Sequence, residues 1–117
     1  MKIVKFEDII AWQKAQDLAV DIYIIFSKSK DFGFKDQIQR ASVSISNNIA
    51  EGFDRMSVKE FVRFLYISTS SCSEVKSMLY LSQRLGYTTY DETLTLIEKS
   101  NEVSKIIRGF IKSISSG

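Results

Sequence analysis

Six polar residues recur at the spacing of one helical face along QIQRASVSISNNIAEGFDR: Gln37, Arg40, Ser44, Asn47, Glu51 and Arg55. At about 100° per residue they form one stripe, with Asn48 at its edge. Phe34, Ile38, Ala41, Ile45, Ile49 and Gly52 fall roughly a third of a turn away. Such a stripe can be a hydrogen-bonded seam between helices, a seam between subunits, or a substrate surface. Glu51 lies four residues before Arg55, and Glu74, further along, is placed to reach Arg40 if their helices pack together. The stripe can thus satisfy itself, which favours a structural role for Gln37, Arg40, Ser44, Asn47, Asn48, Glu51, Arg55 and Glu74.

Two further sets carry positive charge, the first of them interleaved with aromatic rings. Lys59, Tyr66, Tyr80 and Arg84, with Lys76 at the edge, share one outer stripe, and Lys105, Arg108 and Lys112 line up further on. Tyrosines beside cations can stack on bases and contact phosphates, but on an outer face they more often mark a protein interface or plain surface. The later stripe also complements the negative end of a helix dipole.

Catalytic chemistry is poorly supplied. Histidine is absent, and with it the usual acid–base group near neutral pH and the commonest metal ligand. The single cysteine, Cys72, falls on an apolar stripe with no histidine to activate it. The carboxylates do not cluster as a metal site requires, and no glycine-rich phosphate loop occurs. The chain is therefore expected to be no enzyme and to need no cofactor, metal or small-molecule substrate.

The elements that position these residues are helices. The chain has 117 residues, no proline and only five glycines, and no run of period-two alternation argues for a sheet. The pattern predicts helices over about 8–29, 34–53, 58–85 and 90–114 within one domain, 1–117. Asp8 is read as the first cap, Lys30 to Gly33 as the first turn, and Ser57 with Glu60 and Thr89 with Glu92 as capping boxes. Three short connections between long amphipathic helices make an all-α, up-down-up-down antiparallel four-helix bundle. The first helix carries a second apolar face, Ile9, Val20 and Ile24, suited to another subunit. The small residues Ser68 to Ser73 in the middle of the third helix suit either tight packing or a polar pocket.

Sixteen Lys and Arg against 14 Asp and Glu leave a formal charge of +2, so nucleic acid is permitted but not announced. No apolar run approaches a membrane span, and no leader-like segment opens the chain, so no membrane association and a cytoplasmic location are expected.

Several segments together resemble the bacterial four-helix-bundle proteins encoded in intervening sequences of 23S rRNA genes. They are FEDIIAWQKA at 6 to 15, Gln37, Arg40, the SIxxNIAEG pattern from Ser44 to Gly52, the series Arg55, Ser57, Glu60, Phe61, Phe64, Leu65 and Ile67, then Ser71, Glu74 and RLGY at Arg84 to Tyr87. The resemblance implies a compact bundle that assembles into a homo-oligomeric ring, typically a pentamer. It also implies kinship with accessory factors of diversity-generating retroelements that bind nucleic acid. Ser46 stands where a proline is usual, and Ser68 and Ser70 where alanine and glycine are usual. The leading expectation is a non-enzymatic, self-assembling interaction or scaffold protein. The alternative is an RNA- or DNA-binding accessory factor using the outer faces of helices three and four.

Overall fold

In the computed structural model, which describes residues 3–116, a short 3-10 turn at Phe6–Asp8 precedes four helices: α1 Ile10–Ile25, α2 Phe32–Asp54, α3 Val58–Arg84 and α4 Tyr90–Ser115. They form the antiparallel four-helix bundle that the apolar periodicity predicts, about 45 Å long and 21 by 19 Å across. One stripe from each helix meets in the centre. Ala15, Leu18 and Ile22 of α1 pack with Ile38, Ile45 and Ile49 of α2, Leu65, Val75 and Leu79 of α3, and Val103 and Ile107 of α4.

Local chemistry sets most helix ends. Thr89 accepts a hydrogen bond from the Glu92 N–H while Glu92 accepts one from the Thr89 N–H, a complete capping box. At α3 only half of that arrangement forms. Ser57 accepts from the Glu60 N–H at 3.4 Å, but the Glu60 carboxylate turns to Arg63 at 3.1 Å, which also holds its pKa below the usual carboxylate range. Gly86, at φ 78°, turns the chain out of α3 where a side chain would be strained.

Four expectations at the first two helices are corrected. Asp8 does not cap α1; the helix starts at Ile10 behind an extended Ile9, whose position makes no side-chain cap bond. Lying outside the helical wheel, Ile9 turns into the core at 2% exposure, so it cannot belong to an outward face with Val20 and Ile24. The helix also ends at Ile25 rather than near Ser29, because Phe26 leaves helical geometry and is itself buried against Phe34. Conversely, α2 begins two residues early. The Asp31 carboxylate accepts from the Phe34 N–H at 3.2 Å and draws Gly33 into the first turn.

The small residues of α3 serve tight packing. Ser68, fully buried, donates to the Ile45 carbonyl at 2.9 Å, and Ser100 of α4 donates to the Cys72 carbonyl at 3.2 Å. Every buried polar side-chain atom among the described residues has a partner, so no unsatisfied polar pocket lies in the bundle. Gly52 marks a close approach of α2 and α3: a Cβ there would sit 2.5 Å from the Phe64 Cβ.

Candidate functional site

The polar stripe of α2 divides into two parts. Its inner edge is a seam with α3: the Ser44 and Ser71 hydroxyls are 2.9 Å apart, and Asn48 donates its amide to the Ser44 carbonyl at 2.8 Å and to its hydroxyl at 2.9 Å. Gln37 reaches across to Glu74 at 3.5 Å. The outer part is an open trough of about 350 Å³ lined by Arg40, Asn47 and Glu51, with Val43 and Tyr23 of α1.

Both expected ion pairs fail to form. Arg40 turns back one helical turn to Asp36 at 2.9 Å, a nearer carboxylate than Glu74, which faces Gln37. Arg55, the C-cap of α2, keeps helical dihedrals, but its guanidinium lies 5.0 Å over the Phe64 ring instead of pairing with Glu51, and Arg63 also covers that ring at 4.7 Å. A stripe built from surface pairs of this kind contributes little stability; the serine–asparagine seam contributes more.

Two members of the predicted interface face stand outward. On α1, Val20 is 56% and Ile24 66% exposed, and between them on the same face lies Tyr23 at 45%. These three border a shallow groove of about 300 Å³ with Gln16, Ala19, Val43 and Ser46, over the Gln16–Ser46 hydrogen bond of 3.0 Å. Sequence reasoning missed Tyr23, although its spacing of three from Val20 was a sufficient signal. It also missed the neighbouring groove of about 490 Å³ between the end of α1 and the start of α4. There Ile24, Ile25 and Leu96 lie among Asp21, Asp91, Glu92 and Lys99, with Lys99 paired to Asp21.

The basic and aromatic residues do not converge on one pocket. Tyr66 and Tyr80 are half-exposed on α3, fourteen positions and so about 21 Å apart. Lys59 and Arg84 are exposed towards its two ends, and Lys76 is partly buried. Lys105, Arg108 and Lys112 are all exposed on α4, and among the described residues none has a carboxylate within salt-bridge distance. Cys72 is buried, and burial pushes its thiol up to about 12, far from the thiolate a nucleophile needs. Among the described residues no three Cys, Asp or Glu side chains gather as a metal site would require, and no helix is long and apolar enough to cross a membrane.

A family model described as 23S rRNA-intervening sequence protein matches residues 7–109. The bundle is similar to a crystal structure of a protein of unknown function from the S23 ribosomal protein family of Bacteroides thetaiotaomicron VPI-5482. The TM-score is 0.82 and the identity 28%, over 88% of this chain and 99% of that one. None of the curated proteins compared with the chain matches it.

Proposed function

The chain belongs to the 23S rRNA-intervening sequence protein family, and from that premise we propose that it is a non-enzymatic cytoplasmic scaffold that assembles into a ring-shaped homo-oligomer, with a pentamer as the expected size. The observation that carries this reading is the exposed apolar face of α1. Val20, Tyr23 and Ile24 put two aliphatic side chains and one aromatic ring into solvent beside a shallow groove, where burial against a neighbour would be favourable. The complete absence of histidine supports a role without acid–base catalysis. Tyr23 is the natural anchor, since a rigid ring gains contact area at small entropic cost.

Light scattering on the wild-type chain tests the reading directly. A mass several times 13.4 kDa is expected, falling when Val20 and Ile24 are both replaced by Asp. A 13.4 kDa species alone at working concentration would refute it.

A second reading, binding of RNA or DNA, is favoured by one observation: Lys105, Arg108 and Lys112 are exposed on α4 without carboxylate partners among the described residues. Repetition around a ring would multiply that field beyond what a monomer charge of +2 suggests. Its signature is an affinity that falls steeply with salt, with a shallower slope once the three cations are neutralised.

A further inference from the structure

We infer that two copies of this chain pair through the outer face of α4, antiparallel about a two-fold axis that passes between Asn101 and Glu102. The inference does not rest on the α1 face and goes beyond the ring reading.

The outer face of α4 carries Asp91, Leu94, Glu98, Asn101, Glu102, Lys105, Gly109 and Lys112, spaced by three and four residues, and all of them are exposed. Its charge is divided along its length: Asp91, Glu98 and Glu102 precede Lys105 and Lys112. The two halves are mirror-spaced. Asp91 and Glu98 are seven residues apart, as are Lys105 and Lys112, each pair spanning about 10.5 Å of helix. Laid antiparallel on a second copy, Lys105 meets Glu98, Lys112 meets Asp91, and each contact occurs twice. Asn101 then faces Glu102 at the axis, where its amide can donate to the carboxylate. Of these charged residues only Glu102 has an ion-pair partner among the described residues, Lys14 at 3.4 Å.

The remaining pair is a knob and a hole. Leu94, 42% exposed, falls opposite Gly109, and a Cβ built at Gly109 would meet nothing within 4 Å among the described residues. A glycine inside an exposed helical face costs about 1 kcal/mol relative to alanine, and packing within the chain does not account for it. A side chain received from a neighbouring helix does account for it, since the missing Cβ lets the two axes come close.

The same pattern argues against the alternatives. A parallel pairing would set Lys105 against its own copy and Glu98 against its own. A phosphate backbone following this face would meet three carboxylates in the first half. Isolated surface pairs are individually weak, so the contact is expected to be concentration-dependent and salt-sensitive.

The test uses sedimentation equilibrium on the full chain carrying Val20→Asp and Ile24→Asp, which removes the α1 face, with circular dichroism to confirm folding. A dimer is expected, its dissociation constant rising about tenfold or more between low and high salt. Lys105→Glu with Lys112→Glu makes the face wholly acidic, and Asp91→Lys with Glu98→Lys makes it basic except at Glu102. Each variant alone is expected to be monomeric, and the equimolar mixture to form a heterodimer. Should Asp91→Lys in the first turn prevent folding, Glu98→Lys with Glu102→Lys replaces that partner. Gly109→Leu should fill the hole and weaken the dimer while leaving the helix intact. A monomer before any charge change overturns the inference, as does a dimer that persists in either charge variant or a mixture that fails to associate. Failure here with wild-type assembly intact leaves the α1 reading standing; reduction of the wild-type assembly to a dimer, and no further, on α1 substitution leaves both standing.

Discussion

Tyr87, in the turn between α3 and α4, donates its hydroxyl to the Asp31 carboxylate at 2.6 Å, across 56 positions of sequence. The same carboxylate caps α2 through the Phe34 N–H, and Phe34 stacks edge-on against the Tyr87 ring at 5.4 Å. One acidic side chain thus ties two turns at the same end of the bundle. The hydrogen bonds from Tyr87 and from the Phe34 N–H hold Asp31 below the usual carboxylate range, and the Tyr87 phenol is raised by the same bond.

The pH dependence follows from those directions. Asp31 is depressed in the folded chain, so its contribution is present above the ordinary carboxylate range and is lost as pH falls through its folded pKa. Tyr87 is raised, so its contribution is present below the ordinary phenol range and is lost as pH rises through its folded value. Tyr87→Phe should lower Tm at neutral pH and bring it towards the wild-type value in strong acid. Thermal melts of both chains across pH check this, and a constant difference at every pH would contradict it.

Gly52→Ala should destabilise the bundle by about 1–3 kcal/mol, despite alanine being the better helix former. The added Cβ would lie 2.5 Å from the Phe64 Cβ and 3.0 Å from the Phe61 ring, and the first of these is fixed to the α3 backbone rather than at a flexible tip. Relief requires α2 and α3 to separate along a seam that also holds Ser44 and Ser71. Urea denaturation reads the change as a lower midpoint.

The two turns around α3 should respond oppositely to glycine. Met56 adopts φ 59° between α2 and α3, a left-handed conformation costing a side-chain-bearing residue about 1–2 kcal/mol. Met56→Gly removes that cost and adds about 0.5–1 kcal/mol of unfolded-chain entropy, for a small net gain. Gly86 has φ 78°, and Gly86→Ala should lose about 1 kcal/mol even though nothing lies within 4 Å of the new Cβ. Paired melting curves measure both.

Along the polar stripe, the inner edge should matter and the outer one should not. Ser44→Ala removes a partner from both Ser71 and Asn48 and should cost about 1 kcal/mol. Arg40→Ala breaks only an exposed pair with Asp36 and should stay within about 0.5 kcal/mol. Equal losses in the two variants, by chemical denaturation, would show that the outer pair is coupled to the core.

Much of the fold was legible because its determinants are local. Apolar periodicity in Ile38, Ala41, Ile45 and Ile49, the Thr89 and Glu92 box and the glycine at 86 each act over about one helical turn, and four such helices with short connections leave few ways to bury their stripes. The candidate surfaces were only half legible. Val20 and Ile24 were placed outward correctly, since their side chains sit well inside α1 where the wheel holds. Ile9 was not, since a residue one step before the helix obeys the cap geometry instead.

The sequence by itself determined four amphipathic helices, their order, the capping residues of α3 and α4 and the absence of histidine chemistry. Only the tertiary structure decided which groups meet: Tyr87 with Asp31, Gly52 with Phe64, Ser68 with the Ile45 carbonyl, and Arg40 with Asp36 in place of Glu74. The reason is physical. A helix is specified by residues three and four apart, whereas contacts between helices depend on axial offset and rotation, which only the joint packing of all four stripes sets.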